Sequence, residues 1–181
     1  GAGNNILNGS TGIDTVSYAF ASSAVTANLA LTTAQATRGS GSDTLLNFEN
    51  LSGSNFNDIL TGNAAANTLN GGLGADRLTG GDGSDTYYVD NTGDIVSETN
   101  TLASTGGSDT VYSYLSAYTL GANVENLRLM ATGTANGTGN ALDNLIFAGA
   151  GNNSLNGSTG VDTVSYAFAS SAVTANLALT T

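Results

Sequence analysis

The amino-acid sequence predicts an all-β protein, a parallel β-solenoid in which the chain coils through short strands joined by tight turns. Two consecutive nine-residue units of the form G-G-x-G-x-D-x-U-x, where U is a large apolar residue, occupy residues 71–88. The same frame continues on both sides of them, and the chain contains 25 glycines but no proline. Nonapeptide repetition of this form is the sequence signature of a parallel β-solenoid.

Each nonapeptide predicts one tight turn followed by one short strand. Glycine is favoured in the turn because positive φ angles and close backbone approach exclude a Cβ atom. Side chains alternate in the strand, so Leu78 and Tyr87 at position 8 are predicted to point inward, whereas Arg77 and Thr79 point outward. Two units complete one coil of about 18 residues, so that turns one coil apart stack on the same edge.

Five units run in one frame from residue 53 to residue 97, and all have an apolar residue at position 8, whereas the full glycine pattern of the turn occurs only in the two units of residues 71–88. One edge of the predicted solenoid carries Asp58, Asp76 and Asp94, and the other carries Asn67 and Asp85. The frame also fits residues 9–17 and 139–165, where position 6 is occupied by Asp14, Asn144, Asn153 and Asp162. The acidic turns are therefore interspersed with turns that carry a neutral amide.

Turns of this composition predict calcium sites. Stacked turns present main-chain carbonyl oxygens and a carboxylate, hard oxygen ligands of the kind that Ca²⁺ takes in sets of about six to eight. Turns with asparagine at position 6 are predicted to be calcium-poor and to be held by hydrogen bonds to the stacked neighbour, as in asparagine ladders. Without metal the stacked aspartates repel one another, so we expect the calcium-free chain to be disordered and to fold on binding calcium.

A second, longer repeat surrounds the nonapeptides. The sequence of residues 1–33 recurs at residues 149–181. The two copies differ only at Ile6/Ser154 and Ile13/Val161. We interpret residues 1–148 as one large repeat of a continuous solenoid with its nonapeptide core at 53–97, and residues 149–181 as the start of the next. Two inserts, 18–43 and 98–138, are predicted to be longer coils, and the alternating apolar run over 25–31 predicts a strand in the first. At about 4.8 Å per coil the large repeat would span roughly 40 Å.

Residues 53–97 resemble the calcium-binding segment of haemolysin-type, repeat-in-toxin (RTX) proteins, which bacteria secrete. The resemblance implies a right-handed parallel β-roll, export by type I secretion and folding outside the cell when calcium is met. The ligands that it implies are the carboxylates of Asp76 and Asp85 and the turn carbonyl groups of Gly71, Gly72, Leu73, Gly74, Gly80, Gly81, Asp82 and Gly83. The predicted metal residues are completed, by their place in the frame, by Asp58, Asp94, Asn91, Asp14 and Asp162.

Composition excludes several classes of function. The chain has no histidine and no cysteine, so nucleophilic catalysis by Ser-His or Cys-His and zinc held by histidine are absent from it. Asp82 and Asp85 form the nearest candidate for an acid–base pair, and we interpret them as turn residues beside calcium. We expect no enzyme activity. A net charge of −11 with three basic residues opposes binding to nucleic acid, and no apolar run is long enough to span a membrane.

Three functions fit these features. The first is an extracellular structural or adhesive segment of a giant secreted bacterial protein, such as a fibre, surface layer or adhesin stalk, with possible contact to a cell surface or polysaccharide. The second is a calcium-dependent folding and type I secretion module of a secreted hydrolase or toxin. The third is a carbohydrate-binding or alginate-epimerase-type accessory module. The near-identical long repeat favours the first, and the exposed strand edges at the ends of a solenoid predict self-association or tandem stacking.

Overall fold

The computed structural model describes residues 2–100, 105–169 and 174–175, and within them every regular element is a β-strand. The strands are short, two to six residues each. In chain order they are Ile6–Asn8 (β1), Thr15–Ser17 (β2), Thr26–Asn28 (β3), Gln35–Arg38 (β4), Gly41–Leu46 (β5), Asn50–Ser52 (β6), Ile59–Thr61 (β7), Thr68–Asn70 (β8), Arg77–Thr79 (β9), Thr86–Val89 (β10), Ile95–Ser97 (β11), Thr110–Ser113 (β12), Ala117–Thr119 (β13), Asn126–Leu129 (β14), Asn136–Thr138 (β15), Leu145–Phe147 (β16), Leu155–Asn156 (β17) and Thr163–Ser165 (β18).

The strands stack into one long sheet and three shorter ones. The long sheet has eight strands in the order β2-β6-β8-β10-β12-β14-β16-β18. The shorter sheets have the orders β3-β7-β9-β11, β13-β15-β17 and β1-β5-β4. All strand pairs are parallel except β4 with β5. The predicted parallel β-roll is confirmed.

The register between strands follows the nonapeptide frame. Ile59 pairs with Arg77, Arg77 with Ile95 and Thr68 with Thr86, each one predicted coil apart. Every strand from β7 to β11 occupies the strand positions of its unit. Because the turns set the register, residues at position 6 of successive turns lie next to one another along each edge.

The core is a column of the position-8 side chains. In the long sheet Tyr87, Leu69 and Leu127 are fully buried, and in the sheet behind it Leu60 and Leu78 are fully buried. Arg77 is exposed and Thr79 is half-buried, as alternation along the strand requires. Each coil therefore contributes two facing apolar side chains to a narrow core.

The inserts change the length of the coil without breaking the long sheet. Successive position-6 residues along its edge are 35 residues apart at Asp14 and Glu49, 24 apart at Asp85 and Asp109, and 16 apart at Asp109 and Glu125. The first insert contains the antiparallel pair β4–β5. The predicted strand over 25–31 is shorter than expected: only Thr26–Asn28 is a strand, and Leu31 is exposed. In the described part of the chain, no helix is long and apolar enough to cross a membrane.

Candidate metal centre

The residue just before each strand of the eight-stranded sheet belongs to a row along one edge, which we call the long ladder. Its members are Asp14, Glu49, Asn67, Asp85, Asp109, Glu125, Asn144 and Asp162. Each carries a side-chain oxygen, and backbone amides of one coil donate to the side chain of the next. The amide of Asn67 donates to Asp85 Oδ1 at 2.7 Å, and the amide of Asp85 donates to Asp109 Oδ1 at 2.7 Å. The ladder thus fastens neighbouring coils together.

A short ladder follows the opposite edge through Asp58, Asp76 and Asp94. The amide of Asp58 donates to Asp76 Oδ1 at 2.7 Å, and the amide of Asp76 donates to Asp94 Oδ1 at 3.0 Å. As predicted, Asp58, Asp76 and Asp94 lie along one edge of the structure, and Asn67 and Asp85 lie along the other. In each ladder, one oxygen of the carboxylate accepts a hydrogen bond from the backbone amide of the neighbouring coil and so holds the two coils together.

The second oxygen of Asp76 and of Asp85 is available for another ligand. Both residues are 1% exposed, and their Oδ2 atoms are buried without a hydrogen-bond partner. A buried, unpartnered carboxylate oxygen costs free energy unless it is neutralised or bound to a cation. These two atoms are the strongest sign that the turns are built around a metal ion.

The glycines beside these oxygens leave the space open. A Cβ atom at Gly71 would collide with Asp76 Oδ2, and one at Gly80 would collide with Asp85 Oδ2 and with the hydroxyl of Tyr87. The neighbouring turn glycines have positive φ angles: Gly72 (84°), Gly74 (130°), Gly81 (111°) and Gly83 (97°). Carboxylate and carbonyl oxygens are the donors that Ca²⁺ prefers, so the residues present fit calcium.

Gly72 tests the turn backbone directly. Its φ angle of 84° disfavours any side chain, and a Cβ atom there would collide with the carbonyl oxygen of Ser54 in the neighbouring coil. We expect Gly72→Ala to lower the free energy of unfolding by about 1–2 kcal/mol or more, measured by denaturant unfolding in calcium. Gly133→Ala is the control, because a Cβ atom there meets no other atom within 4 Å. Equal stability of the two variants would contradict the strained turn.

The remaining predicted metal residues are placed differently. Asp58 accepts from Val25 and Ser54, and Asp94 accepts from Asp76, Asp90 and Asn91, so both carboxylates are already hydrogen-bonded through both oxygens. A metal bound there would compete with these bonds. The other members are exposed or half-buried at turn surfaces: Asn91 accepts from Gly93, Asp82 accepts from Asn100, and Leu73 is 61% exposed.

Asp14 and Asp162 occupy equivalent positions in the two copies of the long repeat. Asp14 donates its amide to Glu49 Oε2 at 2.9 Å and has a buried Oδ2 atom without a partner. Asp162 is exposed and accepts at Oδ1 from the amide of Asn144 at 2.9 Å. Neither residue is brought near Asp76 or Asp85 in the chain described.

The asparagine turns are held by hydrogen bonds in place of an ion. Asn67 Nδ2 donates to the carbonyl oxygen of Glu49 at 2.9 Å, and Asn144 Nδ2 donates to the carbonyl oxygens of Val124 and Glu125 at 3.1 Å. These amides bond the main chain of the neighbouring coil and an asparagine of their own turn, Asn63 or Asn140, rather than an asparagine of the stacked turn, which refines the predicted asparagine ladder. The amide group satisfies carbonyl oxygens that a cation would otherwise bind.

Burial is the main cause of the raised pKa values of Asp76 and Asp85. It raises the pKa of Asp76 to about 7, and the charge of Asp94 adds to the rise. It raises the pKa of Asp85 to about 6, with a smaller contribution from the charge of Asp82. Hydrogen bonds from the amides of the neighbouring coil oppose both shifts but do not cancel them. At neutral pH a bound cation would therefore stabilise the ionised form of both carboxylates.

Two further buried carboxyl groups lie beside Asp85. Burial raises the pKa of Glu98 to about 8, helped by the charges of Asp109 and Asp85, and only the amides of Gly81 and Gly80 lower it. Burial likewise raises the pKa of Asp109 to about 7. The nonapeptide frame predicted neither residue. The segment Gly106-Gly107-Ser108-Asp109 preserves part of the turn pattern and could have identified Asp109, whereas Glu98 has no recognisable sequence signal.

Comparison with known families agrees with this geometry. Residues 1–17, 52–87 and 138–167 match the RTX calcium-binding nonapeptide repeat, in four copies. The matched segments include the turns of Asp14, Asp58, Asp76, Asp85 and Asp162, and exclude most of the two inserts. No curated protein sequence matches the chain.

Proposed function

Because the chain is an RTX calcium-binding repeat protein, we propose that its 148-residue unit is the building block of a stacked, calcium-stabilised filament outside the bacterial cell. The filament would be a fibre, surface layer or adhesin stalk. It would have a mechanical or adhesive function and no catalytic one. Proteins with RTX repeats are typically secreted, which supports an extracellular location and export by type I secretion.

The complementary bonds of Asp14 and Asp162 carry the stacking proposal. In the first copy the aspartate amide is bonded to the coil that follows, through Glu49. In the second copy the aspartate carboxylate is bonded to the coil that precedes, through Asn144. The two sets of bonds use different atoms of one residue, so a single coil can have both neighbours at once. Strands β2 and β18 show the same relation, since β2 pairs with β6 and β18 pairs with β16.

The stacking fixes the length added by each unit. Between β2 and its copy β18 the long sheet advances by seven strand spacings. At about 4.8 Å per spacing each unit adds about 34 Å. This is less than the roughly 40 Å expected from uniform coils of about 18 residues, because two of the seven coils are longer, 35 residues from Asp14 to Glu49 and 24 residues from Asp85 to Asp109.

Adhesion would use the outer face of the long sheet. Tyr88 and Tyr112 stack there with ring centroids 5.3 Å apart, and the guanidinium carbon of Arg128 lies 3.7 Å from the ring centroid of Phe168. Tyr88 and Tyr112 are half-buried and Phe168 is exposed, and aromatic side chains at a surface suit contact with a polysaccharide or with cell-surface glycans. The alternative function is a calcium-dependent folding and secretion module of a hydrolase or toxin, which the calcium repeats alone would equally support.

Small-angle X-ray scattering on proteins of one, two and three units in calcium tests the proposal. We expect rods whose maximum dimension increases by about 34 Å per unit at constant cross-section. Units joined flexibly would increase the dimension irregularly and keep the unfolding temperature of a single unit. That second outcome would contradict the filament and favour the folding and secretion module.

A further inference from the structure

Glu98, which directly follows β11, is a third buried carboxylate beside Asp85 and Asp109. Asp85, Glu98 and Asp109 are all buried, and one ligand oxygen from each lies within 4.8 Å of the others. Asp85 ends a nonapeptide turn and Asp109 ends the insert turn stacked upon it. Glu98 begins that insert, outside the frame that defines the repeat. The insert therefore has a chemical feature that its sequence did not suggest.

The hydrogen bonds of the cluster leave several oxygens without a partner. Asp109 Oδ1 accepts from the amide of Asp85, and the amide of Asp109 donates to Glu125 Oε2 at 2.8 Å. Glu98 is only 7% exposed, and neither of its carboxylate oxygens has a partner at good hydrogen-bond geometry, although the amides of Gly80 and Gly81 are close enough to lower its pKa. Asp85 Oδ2 has no partner either. Three unpartnered oxygens are thus buried in one place without a basic side chain to neutralise them.

We infer that Glu98, Asp85 and Asp109 form a separate three-carboxylate calcium site, which closes the insert onto the nonapeptide block and binds calcium more tightly than the turn of Asp76. This inference rests on the calcium binding of the proposed function. Calcium affinity rises with the number of charged ligands. The turn of Asp76 offers one unpartnered carboxylate oxygen, because Asp58 and Asp94 are hydrogen-bonded through both of theirs. The three-carboxylate site is expected to lose calcium last.

Removal of one charge from the site is the test. Calcium titration by calorimetry on the wild-type single unit should resolve a tight and a weaker class of site. In Glu98→Gln the tight class should weaken by at least the roughly tenfold that loss of even an outer partner costs a metal site. Glu49→Gln is the matched control, because it makes the same change of side chain and charge at a glutamate that lies outside the cluster and bonds Asp14. Asp76→Asn should weaken only the second class.

Terbium luminescence provides a local readout. The hydroxyl of Tyr87 is buried without a partner and faces, with Asp85 Oδ2, the space beside Gly80. Tb³⁺ bound at the cluster should be sensitised by this ring, and Tyr87→Phe should remove most of that emission. In Glu98→Gln the half-saturating Tb³⁺ concentration of the same emission should rise by about tenfold or more.

The outcomes separate the inference from the proposed function. Unchanged calcium and Tb³⁺ affinities in Glu98→Gln, beside a wild type that binds calcium, overturn the three-carboxylate site and leave calcium binding intact. A wild type that binds no calcium overturns both. Circular dichroism in calcium confirms that each variant is folded. If Glu98→Gln fails to fold, Glu98→Asp, which keeps the charge on a shorter side chain, is titrated instead, and unchanged affinity again overturns the site.

Discussion

Removal of calcium with a chelator at pH 7.5 is expected to abolish most of the β-sheet signal in far-ultraviolet circular dichroism. Four buried carboxyl groups, Asp76, Asp85, Glu98 and Asp109, have raised pKa values, so ionising them in the folded chain is costly. Burying an unpaired charge costs several kcal/mol, whereas the whole domain is stabilised by only about 5–15 kcal/mol. Calcium offsets this cost because it binds the folded state alone.

A double variant identifies the responsible turns. Asp76→Asn with Asp85→Asn removes both charges but keeps an oxygen that can accept the amide of the neighbouring coil, and Asn67 and Asn144 are natural uncharged members of the long ladder. We expect this variant to keep more β-sheet signal in chelator than the wild type. Asp143→Asn, which removes one carboxylate charge at an exposed position, should still require calcium. An unchanged wild-type spectrum in chelator would falsify the coupling of folding to calcium.

Protons are expected to replace calcium in part, so that the metal-free chain is more stable at pH 5 than at pH 7.5. The folded-state pKa values of about 6 for Asp85, 7 for Asp76 and Asp109, and 8 for Glu98 lie above the ordinary values of 3.8 and 4.5. At pH values between the ordinary and the raised pKa of each group, the folded state therefore binds more protons than the unfolded chain. This contribution to stability is present in full below about pH 4 and is lost as pH rises through about 6 to 8.

The β-sheet signal that the metal-free chain retains in far-ultraviolet circular dichroism, followed from pH 5 to pH 8, measures this effect. The series stops at pH 5 because the isoelectric point of about 4.1 favours precipitation below it. In saturating calcium the dependence on pH should be much weaker, since the ion neutralises the same groups. Metal-free stability that rises with pH would contradict the buried carboxyl groups as its cause.

The fold was predictable where local sequence and register agree. Glycine in the turn and an apolar residue at position 8 recur every nine residues, so strand positions, the burial of Leu78 and Tyr87, and the two edges all follow from the frame. The inserts were less predictable. Nothing in the alternating run over 25–31 indicates that its strand ends at Asn28 or that an antiparallel pair follows, because both depend on which neighbouring strand is available.

The candidate site was predictable in its acidic turns and not in its environment. The frame identifies Asp76 and Asp85, but their unpartnered oxygens, and the saturation of Asp58 and Asp94 by hydrogen bonds, depend on the stacked coil. Glu98 lies outside every nonapeptide unit, and only folding of the chain brings it to Asp85 and Asp109. The sequence thus indicates which turns can bind calcium, and packing determines which oxygens are available to do so.

Residue-resolved hydrogen exchange at neutral pH, in calcium and after chelation, tests the central claim most directly. If calcium fastens the stacked turns, the amides of Asp58, Asn67 and Asp85, which bond ladder carboxylates, will exchange slowly in calcium and rapidly without it. The Glu98 cluster predicts that the amide of Asp85 loses protection at the lowest calcium concentration. Protection of these amides that is the same with and without calcium would contradict a calcium-fastened solenoid.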